Sequence, residues 1–258
     1  MSLIQRINTE SLRKGWLLGF EEFKRYGIGT RLGRIWPTIS QLIRITFIGL
    51  VFGLVFQSER GEYLPWLASG FITWTMMSKI ITAGSESFNS AKGYMLSIPI
   101  PKEAFIIRVL VREFLLFLQN LSLMVGVLIV FQMVPSLTLL LIIPGLLISA
   151  IFLAGLSMIL GPMVSRYRDF GQFVSAIVGV MMFVLPIMWQ PERIQSDLAH
   201  LILGLNPLYH YLQIIRLPLI DQVPTDINYL LATAGAVVFL GIGMIVMNKT
   251  RDKLVYWA

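Results

Sequence analysis

The sequence predicts an all-α membrane protein with six transmembrane helices. Of the 258 residues, 56% are hydrophobic and 14% are charged, whereas a soluble domain carries roughly 25% charged residues. Lipid cannot satisfy open backbone groups, so only helices and closed barrels span a bilayer, and the apolar runs here lack the alternation of barrel strands. The runs that approach the roughly 20 residues needed to cross a bilayer are 36–56, 64–83, 106–131, 137–163, 170–189 and 227–247.

Residues 9–35 are predicted to form an amphipathic helix that lies in the membrane interface. Large apolar side chains recur at helical spacing, and charged side chains fill the other face, as in helices of this kind. The apolar residues are Leu12, Trp16, Leu17, Phe20 and Phe23, and the charged ones include Arg13, Lys14, Glu21, Glu22, Lys24 and Arg25. A helix packed on a soluble domain is the alternative, but no other segment could build such a domain.

The loop charges predict that both termini are cytoplasmic. Lys and Arg collect in cytoplasmic loops, and here they cluster before the first run, between the second and third, after the fourth and after the sixth. The remaining linkers are acidic or mixed. The net charge of +7 is therefore interpreted as a sign of membrane orientation, and no nucleic-acid partner is expected.

The stretch 190–226 is too long for a tight turn and too apolar for a solvated loop. Prolines at 191, 207, 218 and 224 divide it into pieces that are too short to span a bilayer. It is predicted to form two re-entrant helices that dip into the outer leaflet and return. Backbone of this kind is tolerated only where protein or a water-filled cavity covers it, so a cavity or gate is expected at the external face.

No catalytic, cofactor or metal site is predicted. The chain lacks the Gly-x-x-x-x-Gly-Lys-Ser/Thr run that cradles phosphates, and it lacks Gly-x-Ser-x-Gly and His-Glu-x-x-His motifs. Its two histidines, His200 and His210, are separated by Gly204 and a proline, and only Asp197 stands at a ligand-like offset. The chain is not expected to be an enzyme, and any ATP and Mg²⁺ would be bound by a partner.

Ionisable residues inside apolar runs are costly and therefore informative. Arg44 is predicted well inside the first span, where it either snorkels to the headgroups or faces a pore. Arg108 and Arg112 share one face at the start of the third span, where contact with headgroups is favoured.

Aromatic residues make up 12% of the chain. Trp66, Trp74 and Trp189 stand toward the ends of predicted spans, so an interfacial belt is the default interpretation. Aromatic faces also stack on sugar rings, and Trp189, Tyr209 and Tyr211 border the stretch 190–226. A channel that passes carbohydrate is the second hypothesis for them.

Four passages resemble the ABC-2-type permeases that export O-antigen, capsule or teichoic-acid polysaccharides. They are Lys24-Arg25-Tyr26 with Leu32-Gly33-Arg34-Ile35-Trp36, Asn89 with Leu96 and Pro101-Lys102-Glu103, Arg166-Tyr167-Arg168-Asp169, and Asn206-Pro207-Leu208-Tyr209 with Arg216 and Pro218. The passages follow one another in the family's order over most of the chain. The chain departs from the family at Thr38-Ile39-Ser40-Gln41, where many relatives have Asn-Pro, and at Ile98-Pro99-Ile100-Pro101, which carries an extra proline.

The resemblance implies that 1–258 is one ABC-2-type transmembrane domain, which forms a homodimer with two ABC ATPase subunits. The substrate would be a glycan linked to a polyprenyl pyrophosphate such as undecaprenyl pyrophosphate. Residues implied in ATPase coupling are Asn89, Lys92, Leu96, Pro101, Lys102 and Glu103; Arg25, Tyr26 and Arg44 would meet the pyrophosphate at the entrance. The glycan channel or external gate would include Trp189, Asn206, Pro207, Tyr209 and Tyr211, and Arg166, Arg168 and Asp169 would form a cytoplasmic loop.

Two other functions remain open from the sequence. An ABC-2 permease for a drug or peptide would share the architecture but lack the polysaccharide-family passages. An ion-coupled secondary transporter would work without an ATPase and would carry paired interrupted spans in its two halves, whereas the conspicuous interruption here lies between the last two spans.

Overall fold

The computed structural model describes residues 9–29, 31–55, 60–97, 100–134, 136–191 and 196–257, and these form eleven α-helices and short 3₁₀ turns. The α-helices are α1 (Thr9–Arg25), α2 (Trp36–Val55), α3 (Arg60–Ser85), α4 (Lys92–Ser97), α5 (Glu103–Val130), α6 (Ile142–Arg166), α7 (Asp169–Val184), α8 (Asp197–Leu205), α9 (Pro207–Leu219), α10 (Asp226–Thr250) and α11 (Leu254–Trp257). The predicted all-helical class is confirmed for these residues.

Four stretches of the described chain are long and apolar enough to cross a membrane, namely Gly33–Leu54, Glu103–Val130, Leu137–Arg166 and Asp226–Thr250. Helix α7 is apolar but has only 16 residues. It ends at Val184 and not at residue 189 as predicted, because Leu185 precedes a proline and is extended, with ψ of 143°. A residue before proline is disfavoured in the α region.

Helix α3 is the central helix of the bundle and packs against α2, α5, α6, α7 and α9. Its middle part is buried on every side, including the polar side chains of Ser69 and Thr73. Trp66 and Trp74, which the sequence places by default in an interfacial belt, are buried in this core at 5% and 4% exposure. The belt interpretation is therefore wrong for these two residues, because α3 faces protein at both positions.

Helix α1 packs on α5 through small residues at a spacing of four. Ser11, Gly15 and Gly19 are its buried positions, and a Cβ atom at Gly19 would lie 2.6 Å from the carbonyl oxygen of Arg108. The large apolar side chains point elsewhere, and Trp16 is 54% exposed. The docked face of α1 is thus its glycine face, and its apolar face is left free.

Helices α6 and α10 also approach closely through glycine. A Cβ atom at Gly155 would lie 2.5 Å from the backbone nitrogen of Leu240, and one at Gly243 would lie 2.6 Å from the carbonyl oxygen of Gly155. Small residues allow this backbone approach between membrane helices. The pairing holds the final helices, α10 and α11, beside α4 and α6, so α1, α4 and α11 gather at one end of the bundle, called here the basic end.

Candidate functional site

A cavity of about 530 Å³ opens at the basic end between α2, α3 and α5. Tyr26, Trp36 and Arg44 line one side, and Lys79 of α3 and Glu86, which follows α3, line another. The cavity is within the range of small-molecule sites, which is about 300–1,000 Å³. It is the strongest candidate site in the described part of the chain.

The cavity carries three cationic side chains, which belong to Arg44, Lys79 and Arg112. Arg112 is already neutralised, because its guanidinium lies 2.7 Å from the carboxylate of Glu113 and 3.0 Å from that of Glu22. Arg44 instead donates to the neutral amide oxygen of Gln41 at 3.1 Å. The positive charge of Arg44 is thus available to an anion in the cavity.

Polar contacts between helices form the wall of the cavity. Gln41 is fully buried and exchanges hydrogen bonds with Thr75 of α3 at 3.0 and 3.2 Å. Thr38 donates to Asn120 of α5 at 3.0 Å and accepts from Gln119 at 2.8 Å. The stretch Thr38-Ile39-Ser40-Gln41, where the chain departs from the family's Asn-Pro, therefore ties α2 to both neighbours.

The structure brings together two of the three predicted entrance residues. Tyr26 and Arg44 both line the cavity, whereas Arg25 is exposed at the end of α1 and does not line it. The sequence interpretation missed Lys79. A polar stripe in the sequence could have indicated Lys79. Thr75, Lys79 and Thr82 of α3, and Glu86 just after it, recur every three or four residues and therefore share one face.

The headgroup contact favoured for Arg108 and Arg112 is wrong in this structure. Arg108 is 4% exposed and lies 2.8 Å from the carboxylate of Glu22. It also donates to the hydroxyl of Ser90 at 2.8 Å. Both arginines are thus paired with protein groups, because docking of α1 places the carboxylate of Glu22 between them.

The residues predicted to couple to an ATPase lie in 89–97 and 100–103, which are called here the coupling segment; helix α4 of this segment contacts α11 at the basic end. Ala91 and Met95 are buried and anchor it, while Lys92 and Tyr94 are exposed. Asn89 donates to the carboxylate of Glu86 at 3.0 Å. The side chain of Leu96 lies outside the residues that the structure describes.

The end of the coupling segment is joined to the last helices. Pro101 is half-buried, and Glu103 is 6% exposed with its carboxylate 3.5 Å from the guanidinium of Arg251. Burial lowers the pKa of Lys102, and the charge of Arg251 lowers it further, against the opposing charge of Glu103. Glu103 is therefore a contact inside the protein, whereas Lys92 remains on the surface.

The loop Arg166–Asp169 lies beside the same end and is exposed. The guanidinium of Arg166 lies 5.1 Å from the ring centre of Tyr167 and 5.3 Å from that of Trp257 in α11. Arg168 and Asp169 lie at the start of α7. The loop therefore lies against α11, which also contacts α4 of the coupling segment.

At the opposite end, residues 185–191 pack over the beginning of α3. Tyr63 donates to the carbonyl of Met188 at 2.8 Å, Trp66 to that of Trp189 at 3.2 Å, and Arg216 to that of Pro186 at 2.6 Å. Arg216 is fully buried, and its guanidinium lies 3.6 Å from the ring centre of Trp66. Three side chains thus bind three backbone carbonyls of one segment; we call residues 185–191 the capping loop.

The predicted channel residues fall into two groups. Asn206 accepts from the backbone N–H of Leu208 at 3.1 Å and begins α9, with Pro207 at its first turn. Trp189 and Tyr209 keep exposed surface, but Tyr211 has none; its ring stacks on Phe152 at 4.0 Å. A channel role stays a prediction, and in this conformation Tyr211 has no free face for a sugar.

The His210 side chain of α9 lies between α8 and α10, because its ring nitrogens are 2.9 Å from the carbonyl of Gly204 and 2.9 Å from the side chain of Asn228. The side chain of His200 lies outside the described residues. Within the described part of the chain, no cluster of His, Cys, Asp and Glu could hold a metal ion.

The long apolar helices with a cavity between them are consistent with a membrane transport subunit, and residues 15–220 match the ABC-2 type transporter family. The chain belongs to that family. It is similar to the O-antigen export system permease protein RfbA of Myxococcus xanthus, with 22% identity over 90% of both chains. It is also similar to O-antigen export system permease proteins RfbA of Klebsiella pneumoniae, one of which is 26% identical over 69% of this chain and 68% of the relative.

Proposed function

We propose that the chain is the transmembrane subunit of an ATP-driven ABC exporter that moves an O-antigen-like, undecaprenyl-pyrophosphate-linked polysaccharide across the bacterial inner membrane. Family membership supports the exporter class, and the names of the relatives support the cargo. The observation that carries the proposal is the cavity at the basic end, where Arg44 faces open space with a neutral partner.

In this proposal the chain crosses the membrane six times, through α2, α3, α5, α6, α7 and α10, with both termini in the cytoplasm. Helices α8 and α9 are the re-entrant pair of the outer leaflet. The gathering of α1, α4 and α11 at the basic end supports this orientation, because cytoplasmic surfaces collect Lys and Arg. The buried polar contacts of the capping loop support re-entrance, because lipid would leave them unsatisfied.

The cavity would receive the pyrophosphate of the lipid carrier. Arginine pairs with phosphate oxygens through its planar fork, and lysine acts as a point charge, so Arg44 and Lys79 would share the diphosphate. Tyr26 and Trp36 would flank the polyprenyl chain, because both are half-exposed aromatic residues at the mouth of the cavity.

The partner would be a homodimer of this chain with two ABC ATPase subunits, which would bind ATP and Mg²⁺. The coupling segment offers the docking surface, because Lys92 and Tyr94 project from a base that Ala91 and Met95 anchor. Arg166, Arg168 and Asp169 lie beside it and would extend this surface.

The proposal is tested by purifying the chain with its candidate ATPase and measuring hydrolysis as lipid-linked glycan is added. We expect stimulation, and we expect Arg44→Ala with Lys79→Ala to raise the half-maximal glycan concentration roughly tenfold or more, since charged hydrogen bonds each contribute about 1.5–3 kcal/mol. Arg13→Ala, an exposed change on α1, is the matched control. Stimulation by small drugs or peptides but not by the glycan would favour the drug-exporter alternative, and no association with an ATPase would refute the proposal.

A further inference from the structure

One buried arginine joins the coupling segment to helix α1. The Nη2 atom of Arg108 donates to the hydroxyl of Ser90 at 2.8 Å and to the carbonyl of Ser87 at 3.4 Å. Its Nη1 atom lies 2.8 Å from a carboxylate oxygen of Glu22 on α1. The two ends of a rigid guanidinium therefore hold two different elements, and neither can shift against α5 without disturbing the other.

The contact continues from Glu22 to the cavity. The second carboxylate oxygen of Glu22 lies 3.0 Å from Arg112, which also pairs with Glu113 at 2.7 Å. Arg112 and Glu113 both line the cavity. A series of polar contacts thus runs from the coupling segment to the cavity wall, through Ser90, Arg108, Glu22 and Arg112.

Burial makes this series of contacts stiffer than an ion pair on the surface. The side chain of Arg108 is 5% exposed and that of Glu22 is 31% exposed, so solvent screens their attraction less than on an open surface. Helix α1 is further seated on the same part of α5, since Gly15 and Gly19 leave no space for a side chain. Packed elements of this kind move as units and do not deform continuously.

We propose that Glu22 and Arg108 are positioning residues that transmit movement of the coupling segment to α1, and through α1 to Tyr26 at the mouth of the cavity. The part that concerns an ATPase rests on the proposed function, whereas the link between Ser90 and α1 does not. Docking of the ATPase on the coupling segment would thereby set how far α1 closes over the cavity.

The link is tested first on the full chain alone in lipid nanodiscs, by hydrogen exchange of the α1 backbone amides. Ser90→Ala removes one contact of Arg108, and we expect it to raise exchange in α1 roughly threefold or more. In a Glu22→Gln background the same change should add little, because the contact chain is already interrupted. The proposal is overturned if the two changes have additive effects, or if Ser90→Ala leaves hydrogen exchange in α1 unchanged.

Glu21→Gln is the matched control for these experiments. Glu21 neighbours Glu22 but pairs with Lys24 within α1 at 3.3 Å, so its loss alters charge equally without touching Arg108. We expect exchange in α1 and its response to Ser90→Ala to stay as in the unaltered chain.

The second test uses the complex with the ATPase. We expect Glu22→Gln to keep basal ATP hydrolysis and complex assembly while it lowers stimulation by lipid-linked glycan at least threefold; Glu21→Gln should retain stimulation. Equal loss of assembly and basal hydrolysis would indicate a structural role only and would overturn the coupling role. If the unaltered complex is not stimulated by the glycan, the proposed function fails, and the exchange experiment still decides whether Ser90 and α1 are linked.

Discussion

The two ends of the bundle use buried arginine in different ways. At the basic end, Arg108 is paired with the carboxylate of Glu22 beside an open cavity. At the opposite end, the described partners of Arg216 are a carbonyl, the amide of Gln213 at 2.7 Å and the ring of Trp66. The ends differ in what each arginine is joined to. Glu22 joins Arg108 to Arg112 on the wall of an open cavity, which suits the basic end to respond to an anion. Arg216 binds a backbone carbonyl of the capping loop, which suits that end to seal.

The largest effect is expected at the sealed end. Arg216→Leu should lower the free energy of unfolding by about 2–4 kcal/mol, because the carbonyl of Pro186 and the amide oxygen of Gln213 lose their donor while buried. The measurement is reversible unfolding in mixed micelles. Arg168→Leu, at an exposed position, serves as control. A loss near that of the control would show that the capping loop does not depend on Arg216.

A second prediction concerns the responsive end. Gly19→Val should weaken the docking of α1 by about 1–3 kcal/mol, as expected for overpacking, because the added side chain meets the backbone of Arg108. Hydrogen exchange should rise in α1 and stay unchanged in α9. Gly126→Val on α5 is the control, since a Cβ there has open space. Unchanged exchange in α1 would contradict the close packing.

A smaller effect is expected from one hydrogen bond of the capping loop. Tyr63→Phe removes the donor to the carbonyl of Met188 and should cost about 0.5–1.5 kcal/mol in unfolding free energy. Tyr94→Phe, on the exposed surface of the coupling segment, should cost nothing measurable. Equal values for both variants would mean that the contact with Met188 is replaceable by water.

The smallest effect is a pH dependence at the turn after α9. Hydroxyls of Ser136 and Thr138 donate to the carboxylate of Asp221 and lower its pKa below the ordinary value of 3.8. A lowered pKa stabilises the fold above the ordinary value and loses that effect as pH falls through the folded value. Asp221→Asn should therefore lower the thermal midpoint slightly at neutral pH, and the difference should shrink below pH 3.8. A difference that is constant with pH would refute the role of the charge.

The sequence predicted the helical class and the existence of α1 well, because long apolar runs and amphipathic spacing are local signals. It also indicated Tyr26 and Arg44, which the structure brings into one cavity. The end of α7 was misjudged although Pro186 marks it, because the apolar run continues past the proline. Hydropathy alone does not show at which residue of an apolar run the helix ends.

The charged contacts were harder to predict because they join residues distant in the chain. Glu22 and Arg108 are 86 positions apart in the sequence, and only the docking of α1 through its glycine face brings them together. The apolar stripe with Leu12 and Trp16 was assigned to the membrane interface, and it did not show which face of α1 meets α5. Gly15 and Gly19 mark that face, which can be recognised only once the partner helix is known.

The buried position of α3 bears on how the protein enters its membrane. Although 26 residues long, α3 is not among the stretches of the described chain that are apolar enough to cross a bilayer by themselves, and it carries buried Ser69, Thr73 and Ser85. Lipid is a poor solvent for such a helix. We expect α3 to be fully shielded from lipid only after α2, α5, α6, α7 and α9 have packed around it, so its stable insertion should depend on these neighbours.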